Sequence, residues 1–428
     1  MAGPLESGEA RADSYLPDRR RIYLAKSLRA VAYGALSGFL VIYLIQNLGY
    51  SALSSLLITS LTLVGAAAWN LLALPRVEAR VGRRRSLYLF SGLFVFSAAL
   101  LYLGSSPGVV IFATLVGGVA AATADNSPLG SIEQAILPSI TSAKDRAAAF
   151  AWYNLLASFA AAAGGLLLIF PGALSPTSVP FLPPAPHPPI LLAYVVLAIG
   201  SVVVYIGLSP AVEAERPPVR QGASTLSSST RSHLVALSAL FGVDAFAGGM
   251  VVNPVIVTYF VTVWNASSQE IGVIITVVGT VSALSFLLAS ALARRFGLLP
   301  TMVFTHLPSN VMLALVPFMP TFALAFGMLT ARSALSQMDV PTRQAYTMEL
   351  VRPEERTEVA ATLNGTRGAT QSVGPFPAVA LQAAGLWGAP FVLAGSLKAV
   401  YDLALWRRFR RVQVGPPELP DEHAVPAR

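Results

Sequence analysis

The chain has 428 residues, of which 54% are apolar and only 12% are charged, about half the charged share of a soluble globular protein. This composition excludes a water-soluble fold, and the absence of cysteine excludes disulfides, thiol catalysis and iron–sulfur clusters. The formal net charge of +8 would suggest a nucleic-acid partner in a soluble protein, but here we expect a lipid bilayer and no nucleic acid.

Twelve apolar segments follow one another along the chain, each close to or above the length of about 20 residues that spans a bilayer. They lie at 22–46, 51–75, 86–104, 108–139, 146–170, 189–208, 233–263, 269–293, 300–317, 320–350, 356–383 and 387–406. The stretch before them is polar and does not resemble a cleaved signal peptide. The predicted fold class is an all-α membrane protein with twelve transmembrane helices.

The basic residues are sorted into alternate loops. Arginine or lysine precedes the first span and follows every second span after it, whereas the intervening loops contain neither. The positive-inside rule then predicts a multi-pass protein of the cell membrane with both termini in the cytoplasm. The expected domains are an N-terminal tail, a six-helix bundle, a linker, a second six-helix bundle and a C-terminal tail, at 1–21, 22–208, 209–232, 233–411 and 412–428.

The two halves resemble each other when the chain is shifted by 210 to 215 residues. Gly82 then falls on Gly297, and the segment DRAAAFAWYN that begins the fifth span falls on ERTEVAATLN in the eleventh. Arg29 falls on Asp244, and Glu133 falls on Arg343. Such weak self-similarity is typical of transporters built from two related six-helix halves, so we predict two pseudo-symmetric bundles.

The span number, the long central linker and the basic loop PRVEARVGRRR together resemble the major facilitator superfamily. The segment RSALSQMDVPTRQAY in the tenth span resembles its drug-exporter-like branch. The loop departs from the family motif at Ala79, where the family has Asp, and the Gly374–Pro375 pair resembles the antiporter motif but lies in the eleventh span, not the fifth. The resemblance implies a cytoplasmic gate, and the alternative role of the loop arginines is to determine the membrane topology. The gate candidates are Glu78, Arg80, Gly82, Arg83, Arg84, Asp145, Arg146, Glu355 and Arg356.

Ionisable side chains inside apolar spans are costly, so each is a candidate to face a cavity or a partner. In the tenth span, Arg332, Ser336, Asp339 and Arg343 share one helix face, which Pro341 interrupts. The resemblance implies that the first, fourth, seventh and tenth helices line a central cavity. The candidate substrate and proton sites are therefore Arg29, Asp125, Asn126, Glu133, Asp244, Arg332, Asp339 and Arg343. Structural ion pairs, Asp339 with Arg343 and Arg29 with Asp244, are the alternative.

Three further polar groups receive structural interpretations. Lys398 and Asp402 stand one turn apart in the twelfth span, where we expect them to neutralise each other. His306 and Asn310 flank a proline in the ninth span, which favours a kink with local hydrogen bonds, with a proton relay as the alternative. Residues expected to bridge the two bundles are Asn154, Asn364, Arg367 and Gln371.

The sequence contains no GxxxxGK(S/T) phosphate loop, no HExxH motif, no serine elbow and no EF-hand loop. We therefore predict no enzymatic activity, no cofactor and no metal. The leading hypothesis is a monomeric secondary transporter that moves a small solute by alternating access, through proton-coupled export of an amphiphilic or drug-like compound. The alternatives are proton-coupled uptake of a small organic anion or metabolite, and a non-transporting membrane sensor or assembly protein with the same fold.

Overall fold

The computed structural model describes residues 16–104, 106–116, 127–141, 146–170, 189–213, 226–351 and 355–412. Within these ranges the regular secondary structure is helical. The predictions for Asp125, Asn126 and Asp145 fall outside the described residues, as do those for most of the linker and both tails.

The first half contains eight α-helices in the described ranges. They are α1 Leu16–Ile42, α2 Ala52–Ala68, α3 Leu74–Val81, α4 Arg83–Leu103, α5 Pro107–Val116, α6 Pro128–Ile136, α7 Arg146–Leu166 and α8 Pro189–Ile206. Short π-helical turns, Tyr43–Asn47 and Trp69–Ala73, follow α1 and α2, and 3₁₀ turns, Leu137–Ile140 and Pro210–Glu213, follow α6 and α8.

The second half contains nine α-helices in the described ranges. They are α9 Ser228–Gly249, α10 Asn253–Trp264, α11 Ser268–Phe296, α12 Leu298–Leu315, α13 Phe322–Ser336, α14 Asp339–Glu349, α15 Arg356–Val373, α16 Pro375–Ala383 and α17 Ala389–Phe409. A 3₁₀ turn, Val316–Phe318, follows α12.

Within the described residues, the predicted spans coincide with single helices or with consecutive helices, and the predicted all-α membrane fold is confirmed. Seven helical segments of the described chain are long and apolar enough to cross a membrane. The seventh, tenth and eleventh predicted spans are each broken into two helices, and prolines at the start of α10 and α16 help to mark two of the breaks. Breaks within membrane helices free backbone groups, which are tolerated where they line a cavity or are buried in protein.

The same helix crossing occurs in both halves, in the register that the sequence repeat predicts. A Cβ atom on Gly34 of α1 would overlap the carbonyl oxygen of Ala161 in α7. A Cβ atom on Gly249 of α9 would overlap the carbonyl oxygen of Gln371 in α15. The two glycines are 215 residues apart and the two carbonyls 210 apart, as in the alignment of the halves. The repeat therefore holds in three dimensions at the level of single atoms.

The glycine of the predicted antiporter motif belongs to this crossing. Gly374 approaches the carbonyl oxygen of Phe246, and Gly164, which occupies the corresponding place in the first half, approaches that of Val31. Small residues at such a crossing let two helix backbones pack closely in a membrane. Close packing thus accounts for Gly374, while Pro375 occupies the first position of α16.

The two loop glycines matched by the repeat have the same backbone conformation. Gly82 has φ of 83° and Gly297 has φ of 89°, a region that favours glycine. Each residue ends one helix and immediately precedes the next, between α3 and α4 and between α11 and α12. The arginine-rich loops of both halves therefore turn in the same way.

The halves contact each other through α7 and α11, α1 and α10, and α2 with α15 and α16. A Cβ on Gly165 would lie 2.6 Å from Thr276 Oγ1, and Asn253 Nδ2 donates to Ser37 Oγ at 3.0 Å. Gly165 is the second-last residue of α7 and lies within about two turns of the loop without basic residues. These contacts between the halves therefore lie towards the end of the bundle opposite the arginine-rich loops.

Candidate functional site

Buried charges form two clusters, one inside each half, and not the single central site that the resemblance implied. The first cluster joins Arg29 of α1 to Glu133 of α6, both with no exposed surface. Arg29 donates from both terminal nitrogens, at 3.0 and 2.6 Å from the two carboxylate oxygens of Glu133. Tyr153 of α7 and Tyr205 of α8 donate hydroxyl hydrogen bonds to the same carboxylate at 2.8 and 2.6 Å.

This first cluster is a closed ion pair. A bidentate guanidinium–carboxylate pair with two further donors satisfies both carboxylate oxygens, which makes burial of the charge tolerable. The alternative pairing of Arg29 with Asp244 is wrong, because Arg29 faces α6 within its own half. Lys26, one turn earlier on α1, lies over the ring of Tyr153 at 4.8 Å from its centre, a cation–π contact.

The second cluster surrounds Asp244 of α9, whose residue surface is 2% exposed. Its Oδ1 atom accepts a hydrogen bond from Lys398 of α17, and its Oδ2 atom accepts one from Arg367 of α15 at 2.8 Å. Arg343 of α14 lies 3.7 Å from Oδ2. The contact between Asp244 and Arg343 occupies the repeat position of the Arg29–Glu133 pair, with the acid and base exchanged.

The expected pairing of Lys398 with Asp402 is wrong. Both belong to α17, but Lys398 reaches across to Asp244, while Asp402 contacts α12. His306 Nδ1 lies 2.9 Å from Asp402 Oδ1, and Asn310 Nδ2 donates to Asp402 Oδ2 at 2.8 Å. Although Lys398 and Asp402 lie one turn apart on α17, each side chain contacts a residue on a neighbouring helix instead.

The predicted pair in the tenth span is present, because Arg343 donates to Asp339 one turn away. Arg332 and Ser336 lie just before this pair, at the end of α13, where the helix breaks. The Arg332 Nε and Ser336 Oγ atoms are buried and have no hydrogen-bond partner among the described residues. Arg332 lies within electrostatic range of Asp244 and Asp339 and is partly exposed as a residue.

The second cluster carries an excess of positive charge among the described side chains. Its carboxylates belong to Asp244, Asp339 and Asp402, and its permanent cations to Arg332, Arg343, Arg367 and Lys398. With His306 neutral, four cations thus face three carboxylates. A monoanion bound there would balance the charge.

Two of the gate candidates interact in the arginine-rich loop. Arg83 Nε lies 3.0 Å from Glu78 Oε1, so Glu78 supplies an acidic partner close to the position of the absent motif Asp. Arg80 is exposed, and the side chains of Arg146 and Arg356 lie outside the part of the chain that the structure describes. A gating role for these residues stays a prediction.

The sequence analysis missed Glu213, which caps a helix in this loop. Its carboxylate accepts from the backbone nitrogens of Arg83 and Arg84 at 3.0 and 2.8 Å, at the start of α4. An anion at a helix N-terminus satisfies free amide groups and favourably meets the helix dipole. The sequence contains little to indicate this contact, because Glu213 follows the sixth span and lies 130 residues from its partner Arg83.

Glu355 performs the same task at the start of the second half. It is buried, and accepts from the backbone nitrogen of Ser227 at 2.6 Å and from Thr230 Oγ1 at 2.7 Å. The start of the eleventh predicted span is thereby tied to the N-terminus of α9, where the linker ends.

The expected bridging role of Arg367 is wrong, because its partner Asp244 lies in the same half. The backbone carbonyl of Gln371 meets Gly249 within the second half, and for the Gln371 side chain the bridging role stays a prediction. Asn154 is half-buried and Asn364 is exposed, so for them the role remains a prediction. Sequence reasoning also missed Tyr153 and Tyr205, since an uncharged tyrosine in an apolar span gives no sign of a buried partner.

The chain is 23% identical over 419 residues to the uncharacterized membrane protein YJR124C of Saccharomyces cerevisiae, which covers 91% of this chain and 93% of that protein. In fold it is similar to the nucleoside transporter NupG, with a TM-score of 0.65, 12% identity and 92% of this chain and 99% of that chain covered. It is also similar to the human organic anion transporter MFSD10 (TETRAN), with a TM-score of 0.60, 15% identity and coverage of 94% and 100%. An auto-inhibited POT family peptide transporter gives a TM-score of 0.68 at 13% identity, with coverage of 94% and 98%.

The family model named Major Facilitator Superfamily matches residues 239–427, the second half of the chain. The solved structures share the architecture over more than nine-tenths of the chain. Both findings agree with the twelve predicted spans and with the pseudo-symmetric helix crossings. The second half of the chain is therefore similar to the Major Facilitator Superfamily, and the chain shares its fold with these membrane transporters.

Proposed function

We propose that this chain is a secondary transporter that moves a small solute with an anionic group by alternating access. The observation that carries the proposal is the pair of buried, unpartnered polar atoms at the break between α13 and α14, Arg332 Nε and Ser336 Oγ. Transporter sites commonly form at such interrupted helices near the middle of the bilayer.

The chemistry of these atoms favours an anion. Arg332 Nε can only donate a hydrogen bond, and the Ser336 hydroxyl can donate one. A buried donor without an acceptor costs about 1–3 kcal/mol, which a bound carboxylate, phosphate or sulfonate oxygen would remove. The surplus of one cation in the second cluster points the same way.

Arg367 links the solute site to the rest of the cluster. Its side chain is 25% exposed, while that of its partner Asp244 is 3% exposed. The guanidinium can therefore reach a solute while it remains near Asp244. A bound anion and the Asp244 carboxylate would compete for the same cation, so that solute binding would alter contacts between α9 and α15.

This proposal selects among the hypotheses drawn from the sequence. Export of a drug-like compound remains compatible if that compound carries an anionic group, but a neutral amphiphile would leave Arg332 unpartnered. The similarity in fold to an organic anion transporter supports an anionic solute. A non-transporting sensor would bind a solute without moving it across a membrane.

The test uses a panel of aryl sulfonates and their uncharged sulfonamides, with benzenesulfonate and benzenesulfonamide as the first pair. A ligand that binds the folded state raises its stability, so thermal unfolding of the purified chain reports binding. We expect stabilisation by sulfonates and not by sulfonamides. Flux of the best-binding sulfonate into and out of proteoliposomes then gives the direction of transport.

Arg332→Gln and Ser336→Ala are the informative variants. Hydrogen bonds to charged groups contribute about 1.5–3 kcal/mol, so Arg332→Gln should weaken sulfonate binding by about tenfold or more. Ser333→Ala is the matched control, because the Ser333 hydroxyl donates to the Leu329 carbonyl within α13 at 2.8 Å. Equal binding of sulfonamides, or full sulfonate affinity in Arg332→Gln, would contradict an anion site. Binding without flux would support the sensor.

A further inference from the structure

We propose that His306 is the proton-binding site that couples this transporter to a proton gradient. The imidazole would bind one proton on Nε2, between Asp402 and Asp244, and that proton would strengthen anion binding at the nearby helix break. This inference rests on the proposed function for the anion and adds the coupling ion and its residue.

The geometry around His306 leaves one ring nitrogen available for a proton. The residue is 3% exposed, and its Nδ1 atom lies 2.9 Å from Asp402 Oδ1 and 3.1 Å from Asn310 Nδ2. Because a carboxylate can only accept, we assign the Nδ1 hydrogen to the contact with Asp402. The second oxygen of Asp402 is held by Asn310 at 2.8 Å. The Nε2 atom lies 3.9 Å from Asp244 Oδ1, too far for a direct hydrogen bond but close enough for an ion pair once Nε2 is protonated.

The helices around His306 differ in the charged residues that they place near its imidazole. Helix α17 presents Lys398, Asp402 and the Tyr401 ring, whose centre is 6.1 Å from that of the imidazole. Helix α14 presents Asp339 and Arg343, α13 presents Arg332, α9 presents Asp244, and α15 presents Arg367. Helix α11 also packs on α12, but its titratable residues lie at its two ends, Glu270, Arg294 and Arg295.

Asp244, one of the candidate substrate and proton residues, is the less suitable proton site. Its carboxylate already accepts hydrogen bonds from Lys398 and Arg367, two cations that favour the charged form. Histidine is the side-chain type that most commonly exchanges a proton in the physiological pH range, and His306 is the histidine of this cluster. We therefore place the proton on His306 and not on Asp244.

Charge balance couples the proton to the anion. With neutral His306 the described cluster holds one surplus cation, and protonation raises the surplus to two. A second buried positive charge is unfavourable alone but is compensated when a monoanion enters. Because coupling between two binding sites is reciprocal, a bound anion must favour protonation by the same factor by which the proton favours the anion.

A local competition provides the structural link. Protonated His306 presents Nε2–H towards Asp244. The charge of the Asp244 carboxylate is then compensated by His306, so its ion pair with Arg367 contributes less. Arg367, at 2.8 Å from Asp244 and the partly exposed member of the pair, would turn towards the anion. One proton and one anion enter together from one side and leave together on the other, with no other bond made or broken.

The first experiment detects the proton directly. The chain has four histidines, so a variant with His187→Gln, His233→Gln and His423→Gln keeps His306 as the sole histidine and leaves the cluster unaltered. This full-length variant is labelled with ¹⁵N-histidine, placed in nanodiscs and titrated by NMR from pH 5 to 8. We expect the imidazole signals to titrate in this range, and the midpoint to shift when saturating benzenesulfonate is added.

The second experiment measures the coupling. Benzenesulfonate keeps its charge throughout this pH range, so any pH dependence of its affinity reports protonation of the protein. In the wild type we expect affinity to rise as pH falls, by up to about tenfold per pH unit. In His306→Gln the affinity should be independent of pH, whereas His233→Gln, at the start of α9 beside Phe409, should retain the wild-type dependence.

The outcomes separate the two proposals. A His306 signal that does not titrate, or a pH dependence that persists in His306→Gln, would overturn the proton site. Sulfonate binding that is independent of pH but still requires Arg332 would overturn the proton site as well, and would leave the anion site standing. A titrating His306 in a protein that binds none of the sulfonates would instead overturn the proposed function.

Discussion

The closed ion pair of the first half offers a sharp test of the buried charges. The Glu133 carboxylate accepts from Arg29 at 3.0 and 2.6 Å and from the hydroxyls of Tyr153 and Tyr205. Glu133→Gln keeps the size of the side chain but removes the carboxylate charge that faces the Arg29 guanidinium, which has no exposed surface. Removing one partner of a buried pair costs about 3–5 kcal/mol, so we expect a loss of that size in the free energy of unfolding.

The double variant Arg29→Met with Glu133→Gln isolates the charge. It removes the guanidinium together with the carboxylate and keeps an amide oxygen to accept from the two tyrosines. Replacing both members of a buried pair is often neutral or stabilising, so the double variant should be more stable than Glu133→Gln by at least about 2 kcal/mol.

Both variants are measured by reversible unfolding in mixed micelles, with Glu349→Gln, at the exposed end of α14, as the control. Wild-type stability of Glu133→Gln would refute the reasoning. So would a double variant that is less stable than either single variant, because the penalty would then not come from the unpaired charge.

Two further predictions concern packing and helix capping. The new methyl groups of Gly34→Ala and Gly249→Ala would meet a facing carbonyl, so each variant should lower the free energy of unfolding by about 1–3 kcal/mol. Gly92→Ala is the control, because a Cβ atom there meets nothing within 4 Å, and it should be neutral or more stable by up to about 1 kcal/mol through helix propensity. Equal losses of stability in Gly34→Ala and Gly92→Ala would contradict the crossing. Glu355→Gln should weaken the cap of α9 by about 0.5–2 kcal/mol and increase hydrogen exchange at Ser227 and the following amides, and unchanged exchange would show that the cap does not hold the helix start.

The helices and their repeat could be derived from the sequence, because a bilayer constrains a chain strongly. Backbone groups in lipid must be satisfied internally, so each long apolar segment becomes a helix. The shift that places Gly82 on Gly297 also relates the crossing at Gly34 to the crossing at Gly249, since equivalent helices pack equivalently in both halves. The contact of Arg343 with Asp339 is local, one turn along a helix, and was equally predictable.

The partners of the buried charges were decided by the tertiary structure. Arg29 finds Glu133 at a separation of 104 residues, and Lys398 passes over Asp402, four positions away, to reach Asp244. Helical periodicity states which residues share a face, but not how far each helix is rotated or which neighbour that face meets. A rotation of one residue position, about 100°, would turn Lys398 from α9 towards another neighbour, so its partner is fixed only when all six helices of the half pack together.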